Sequence, residues 1–122
     1  MLRTKMELIF LKEEPWNDRW PNSYPSHSFV PVFAFGNYSP PGYIEKNDDK
    51  DFIYNTHYEV TVDFPLIVTN DLEIVSWNKV RDEIFIDMTF DIKFGSRTLG
   101  KAKLLDYKYD EEYKFYDSDL RK

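Results

Sequence analysis

The chain is 122 residues long, with 42% hydrophobic residues, 18% aromatic residues and a formal net charge of −6. This length and apolar content fit a single domain with its own core, while the acidic balance disfavours a nucleic-acid-binding protein. The chain contains no cysteine, which excludes disulfides, thiolate nucleophiles and cysteine-ligated zinc and is typical of a cytoplasmic protein.

The first half of the chain alternates predicted strands with two long connections. Residues 5–12 predict the first strand, with Met6, Leu8 and Phe10 on one face and Glu7, Ile9 and Leu11 on the other. Residues 13–28 are rich in Pro, Asn and Ser and are expected to form a loop, and a second strand is predicted over residues 29–35. Pro31 places that second strand at a sheet edge or a bulge, because proline cannot donate a ladder hydrogen bond. Residues 36–51 are predicted to form the second long loop.

The second half contains the remaining predicted strands, over residues 56–64, 66–69, 72–77, 83–94 and 99–107. Asn70 and Asp71 are typical turn residues between the two short runs. Gly95 can supply the positive φ that a tight link between the last two strands demands. Residues 72–80 are also compatible with one or two helical turns. Many short strands separated by turn residues predict an all-β barrel or sandwich.

The last hairpin resembles a known family. Gly95-Ser96-Arg97-Thr98-Leu99-Gly100 is similar to the Gly-Gly-Arg-Thr-Val-Gly turn in the third, C-terminal barrel of elongation factor Tu. The preceding Phe90-Asp91-Ile92-Lys93 resembles that family's Phe-Ala-Ile-Arg, and residues 7–14 and 55–65 are similar to earlier strands of the same barrel, in the same order. The resemblance implies a closed antiparallel β-barrel of about six strands over residues 1–108. Residues 109–122 are expected to be an acidic aromatic tail or an extra edge strand.

Two departures separate the chain from that family. The whole GTPase domain is missing, because the sequence has no Gly-x-x-x-x-Gly-Lys phosphate loop, so the chain is not an elongation factor. In the family, the turn contacts tRNA through a Glu followed by a Gly. Here Phe94 stands at the Glu position and Gly95 is kept. A phenylalanine lacks the hydrogen bonds of a carboxylate, but it can stack on a base or fill a pocket in a protein.

The candidate binding residues lie at the hairpin tip and in the first long loop: Phe94, Gly95, Ser96, Arg97, Thr98, Trp16, Trp20 and Tyr24. The guanidinium of Arg97 can bind a carboxylate or a phosphate, or it can pair within the chain with Asp63 or Asp106. The loop aromatics are typical of interface anchors, although tryptophans can equally pack inward to cap the end of a barrel.

No catalytic or metal-binding constellation is predicted. His27 and His57 are the only histidines and stand far apart in the sequence, and the acidic run of Asp48, Asp49 and Asp51 lacks the spacing of a calcium loop. Two carboxylates further on, at positions 87 and 91, share one face of the predicted strand over residues 83–94 and could mimic a glycosidase pair. A polar outer strand face is the simpler interpretation. No cofactor is expected.

These observations lead us to expect a non-enzymatic protein-binding module built on an elongation-factor-Tu-like barrel, with an inhibitor or immunity-type protein as the narrower interpretation. The alternative is an RNA-binding protein, with tRNA as its ligand, related to translation factors. A ligand held in the barrel mouth is a third interpretation, disfavoured because side chains fill a six-stranded barrel. The longest uncharged stretch, residues 20–44, contains five prolines and therefore does not predict a membrane helix. The partner's identity and the oligomeric state stay open.

Overall fold

Antiparallel strands make up most of the structure, a computed structural model that describes residues 1–11, 23–24, 30–45, 50–95 and 97–110. The strands are β1 (Leu2–Phe10), β2 (Ser23–Tyr24), β3 (Val32–Ala34), β4 (Tyr43–Glu45), β5 (Phe52–Ile53), β6 (His57–Phe64), β7 (Ile67–Val68), β8 (Ile74–Val75), β9 (Thr89–Phe94) and β10 (Arg97–Tyr109). The helical elements of these ranges are the one-turn helix α1 (Trp77–Val80) and a 3-10 helix (Arg81–Glu83). The prediction of an all-β fold is confirmed.

The main sheet has six strands in the order β3-β9-β10-β1-β6-β4. Strand β1 lies inside the sheet, with Leu2 opposite Tyr109 at one end and Phe10 opposite Gly100 at the other. Alternate residues of β1, beginning at Leu2 and ending at Phe10, are buried. This period of two is what a strand with one face on the core requires. The predicted first strand is therefore confirmed, although it begins at Leu2 and ends at Phe10.

Strand β10 contains two bulges, and the sheet curls into a half-barrel. One bulge leaves Leu105 as the extra residue against β1, and the other leaves Leu99 as the extra residue against β9. Bulges bend a strand and increase its local twist, so they help the sheet to curl. Gly100 follows the second bulge and lies directly against the backbone of Ile9 and Phe10. A Cβ atom at Gly100 would collide with that backbone.

The chain from β3 to the residue before β4 folds into a hairpin around Gly36, whose φ is +52°, and we call residues 32–42 the β3–β4 hairpin. Phe35 and Tyr38 exchange backbone hydrogen bonds of 3.0 and 2.9 Å across the turn, and the Gly42 amide donates to the Pro31 carbonyl at 3.0 Å. The predicted loop over residues 36–51 is therefore wrong in part, because β4 within it pairs with β6. Pro31 lies just before β3, at an end of the sheet order, as the sequence predicts.

The connection between β6 and β9, which we call the cap (residues 65–88), contains β7, β8, α1 and the 3-10 helix. β7 and β8 pair around a turn at Asn70 and Asp71, as predicted. The predicted long strand over residues 83–94 is wrong before Thr89. There the 3-10 helix ends at Glu83, and Asp87 takes a φ of +73°, which no regular strand contains. Of the predicted helical turns, α1 forms.

One hydrophobic cluster fills the concave side of the sheet and extends under the cap through Ile67, Val80 and Ile84. Thr4 is buried among these residues, and its hydroxyl donates to the Val62 carbonyl at 2.7 Å. A cavity of about 10 Å³ lies beside Thr4. It has room for at most one water molecule. No helix in the described part of the chain is long and apolar enough to cross a membrane.

Candidate functional site at the hairpin end

The β9–β10 hairpin carries most of the predicted binding residues. Phe94 and Arg97 pair on either side of its tip, and Gly95 has a φ of +62°, so the expected positive φ is confirmed. Phe94 continues the face of β9 that holds Ile92 in the core, yet its side chain is 41% exposed. The reason is its position, because Phe94 extends past the last residue of β1, where the core ends.

Two other segments meet at this end of the sheet. The Leu11 amide donates to the Leu99 carbonyl at 2.8 Å, and the ring of Phe10 packs on Phe52 of β5 at 4.8 Å between centroids. Strand β2 pairs with β5, which brings the Tyr24 backbone opposite Phe52. We call residues 94–98 together with β2 and β5 the hairpin end. Ile53 of β5 is 60% exposed there.

The structure thus places the backbone of Tyr24 at the same end of the sheet as the hairpin. A binding surface that contains both Tyr24 and the hairpin residues requires this proximity. Arg97 is exposed, and Thr98 is half-buried opposite Lys93. Trp16, Trp20 and Ser96 lie outside the described residues, as does the side chain of Tyr24.

Neither acid that the sequence offered as an internal partner of Arg97 is near it. Asp63 accepts a bond of 2.9 Å from Nε of Arg3, at the opposite end of β1. Asp106 is nine residues along the same strand, a separation of about 30 Å at the rise of an extended chain. Both of those pairings are wrong, because Arg97 lies at the hairpin end and the two acids lie at the other end of β1 and β10.

The outer face of the sheet is covered by ion pairs. Lys101 pairs with Asp91, and Lys103 lies 3.9 Å from Asp87. The two carboxylates considered as a glycosidase pair therefore each face a lysine, and Asp87 lies outside the strand. His57 lies 3.2 Å from Glu7. Within the described ranges, no three side chains of the metal-binding types come together. His27, Asp48 and Asp49 lie outside those ranges.

Sequence reasoning missed the cap as a surface. Four of its large apolar side chains are exposed: Leu72, Ile74, Phe85 and Ile86. The ring of Trp77 stacks on Tyr109 at 4.7 Å, which fixes the cap at the end of the sheet opposite the hairpin end. The signal was the apolar run over residues 84–86, which lacks the alternation of a strand that is buried on one face.

A hydrogen bond ties the cap to the β3–β4 hairpin. The Tyr38 hydroxyl donates to the Glu83 carboxylate, and this bond raises the pKa of Tyr38 above its ordinary value. Burial raises the pKa of Tyr54 in the same direction. Both phenols therefore keep their proton at neutral pH.

Comparison with known proteins returned no match: no family model, no curated protein and no solved structure is significantly similar to this chain. The comparisons therefore do not link the chain to elongation factor Tu. That resemblance stays a prediction made from the hairpin motif and the order of the strands.

Proposed function

We propose that this protein is a non-enzymatic protein-binding module and that the hairpin end is its binding surface. The supporting observation is that Phe94 and Ile53 expose 41% and 60% of their surface at one end of the sheet, beside the exposed Arg97. Aromatic residues, phenylalanine among them, and arginine are enriched in protein interfaces. An aromatic ring at the tip of a turn, flanked by a guanidinium, can enter a pocket that a flat sheet face cannot reach.

We also propose that the curled sheet closes into a six-stranded barrel like the third domain of elongation factor Tu. The support is the segment before β4. Its Pro40 carbonyl accepts a bond of 2.9 Å from Phe33, and Pro41 bridges to Val32, while β4 itself pairs with β6 at the other end of the sheet order. Such a closure removes the open edges of the sheet, which are the usual sites of unwanted association.

The cavity beside Thr4 favours a role for the surface. It measures about 10 Å³, so this part of the described core has no room for an organic ligand. The net charge of −6 favours a basic partner. An inhibitor or immunity-type protein that binds a basic toxin in the cytoplasm is the narrower form of the proposal. Toxin genes beside the gene for this chain would support it.

A pull-down from native lysate with three forms of the full chain tests the binding surface. The wild type and Phe85→Ser should retain the same protein, and Phe94→Ser should retain at least tenfold less. Both substitutions remove an exposed phenylalanine, but Phe85 lies in the cap, at the opposite end. A wild-type chain that elutes as a clean monomer with no retained protein contradicts the proposal, and so does equal retention by Phe94→Ser.

RNA binding is the second candidate, favoured by the charges around Phe94. Arg97 lies across the hairpin from Phe94. Lys93 and Lys101 carry positive charge on the opposite face of the same hairpin, where Lys101 pairs with Asp91. An aromatic ring beside an arginine can serve as a site for a stacked base. This candidate requires a complex with tRNA in a gel shift at low salt that weakens as salt is raised and in Arg97→Ala. Absence of a shift at low salt eliminates it.

A further inference from the structure

The β7–β8 hairpin of the cap is held firmly on one side. The Ser39 amide donates to the Val68 carbonyl at 2.9 Å, and the Asn70 amide donates to the Asn37 carbonyl at 2.9 Å. The Asn70 side chain also contacts Gly36 and Ser39. These bonds join β7 to the β3–β4 hairpin, so β7 has neighbours on both sides. The position of β8 is thereby fixed before any partner arrives.

No strand within the described ranges pairs with the outer edge of β8. The Thr69 amide donates to the Glu73 carbonyl at 2.9 Å, and the next pair along the ladder is Val68 with Ile74. Hydrogen-bonded and non-hydrogen-bonded pairs alternate in an antiparallel ladder, so the N–H and C=O of Ile74 point away from β7. Among the described residues, β7 is the only strand that pairs with β8.

The side chains at this edge are apolar and acidic. Leu72 is 80% exposed and Ile74 is 67% exposed. Asp71 and Glu73 alternate with them along the chain. Leu72 also takes a φ of +67°, a conformation that a leucine adopts at a steric disadvantage. Exposed apolar residues beside unpaired backbone groups are what strand addition uses, with main-chain bonds for affinity and side chains for specificity.

We propose that the edge of β8 binds an extended segment of another protein in which lysine or arginine alternates with apolar residues. Charge selects this occupant. A second copy of the chain would bring Asp71 and Glu73 against the same two acids. The chain's own residues 111–119 carry four acids and one lysine, so they are repelled in the same way. This surface lies at the end opposite the hairpin end and does not depend on it.

Nuclear magnetic resonance of the full-length chain tests the proposal with two synthetic peptides, Lys-Val-Lys-Val-Lys-Val and Glu-Val-Glu-Val-Glu-Val. The lysine peptide should shift the amides of residues 72–75, slow the hydrogen exchange of the Ile74 amide and bind at least tenfold tighter than the glutamate peptide. Glu73→Lys should lower the affinity for the lysine peptide at least fivefold. Asp82→Lys, which makes the same charge change elsewhere in the cap, should lower it less than twofold.

Three results would overturn the proposal. Equal binding of the two peptides removes the charge argument. Slow exchange of the Ile74 amide in the free chain shows that the edge is already covered, by another part of the chain or by a second copy. Shifts confined to residues 94–98 place the binding at the hairpin end, which refutes the β8 site while leaving the proposed function intact. A failure of the pull-down with Phe94→Ser leaves the β8 site untouched.

Discussion

At the scale of the residue, two glycines of the same hairpin have different physical roles. A Cβ atom at Gly95 would meet nothing within 4 Å, so only its φ of +62° opposes substitution. Gly100 has the opposite problem, because a Cβ there would collide with the backbone of Ile9 and Phe10. Backbone atoms within a paired strand cannot move aside as a flexible side chain can.

We therefore expect Gly95→Ala to lower the free energy of unfolding by about 1 kcal/mol, and Gly100→Ala to lower it by about 3 kcal/mol. Urea denaturation of the two variants and the wild type measures both values. Equal losses would show that the contact between β10 and β1 is looser than the structure has it. Because the two substitutions add the same atom, the comparison sets the backbone strain at Gly95 against the collision at Gly100.

Tyr38 predicts a dependence of stability on pH. The bond from its hydroxyl to Glu83 raises the pKa of Tyr38 above 10.0 in the folded chain. This higher pKa in the folded state adds to the free energy of unfolding. The added stability is complete below pH 10.0 and is lost as the pH rises from there through the pKa of the folded chain. Urea denaturation should therefore show that the wild type is more stable than Tyr38→Phe by a constant amount between pH 7 and pH 9. This difference in the free energy of unfolding should shrink above about pH 10. A difference that stays constant through pH 11 would contradict the bond.

At the scale of the element, the tip of the β7–β8 hairpin contains a strained residue. Leu72 has a φ of +67° and an exposed side chain, so a glycine there relieves backbone strain without opening a cavity. We expect Leu72→Gly to raise the free energy of unfolding by about 0.5 kcal/mol, because the relief exceeds the extra entropy of glycine in the unfolded chain. Asp71→Gly is the control, since Asp71 has no positive φ and should lose stability. Thermal melts of both variants decide the sign.

Elements were predictable where one face alone meets the core. β6 and the β9–β10 hairpin follow the period of two closely, and Gly95 fixed the link between β9 and β10. β4 escaped detection because it is three residues long, follows two prolines and takes its place in the sheet from β6, a contact that no local pattern records. The prediction of a strand at the end of the cap was wrong for a different reason. Residues 84–86 are all apolar, which is typical of a strand, but Ile84 is buried while Phe85 and Ile86 are exposed in a turn.

The candidate site was predictable in part. The turn chemistry of Gly95 located the hairpin tip. Phe94 was selected because it stands at the Glu position of the similar family, whereas its exposure beyond the end of the core is visible only in the structure. The internal partners offered for Arg97 were wrong, because they depend on the register of β1 with its neighbours. The open edge of β8 also depends on pairing, which becomes visible only when the strands are assembled.

At the scale of the whole molecule, barrel closure makes its own prediction. If the segment before β4 joins the two ends of the sheet, the amides of Phe33 and Gly42, which donate to Pro40 and Pro31, should exchange with solvent as slowly as those of β1. Hydrogen exchange followed by nuclear magnetic resonance gives these rates. If these amides exchange as fast as those of a fraying edge strand, the sheet is an open half-barrel and the proposed closure is contradicted.

The central claim is that the hairpin end binds a protein. Hydrogen–deuterium exchange on the purified complex with the retained partner tests it most directly, because it locates the interface on the native chain. We predict that protection on binding is strongest over residues 94–98 and β5, with the outer face of β1 and β6 unchanged. Protection confined to the cap or to that outer face, with none over residues 94–98, would contradict the claim.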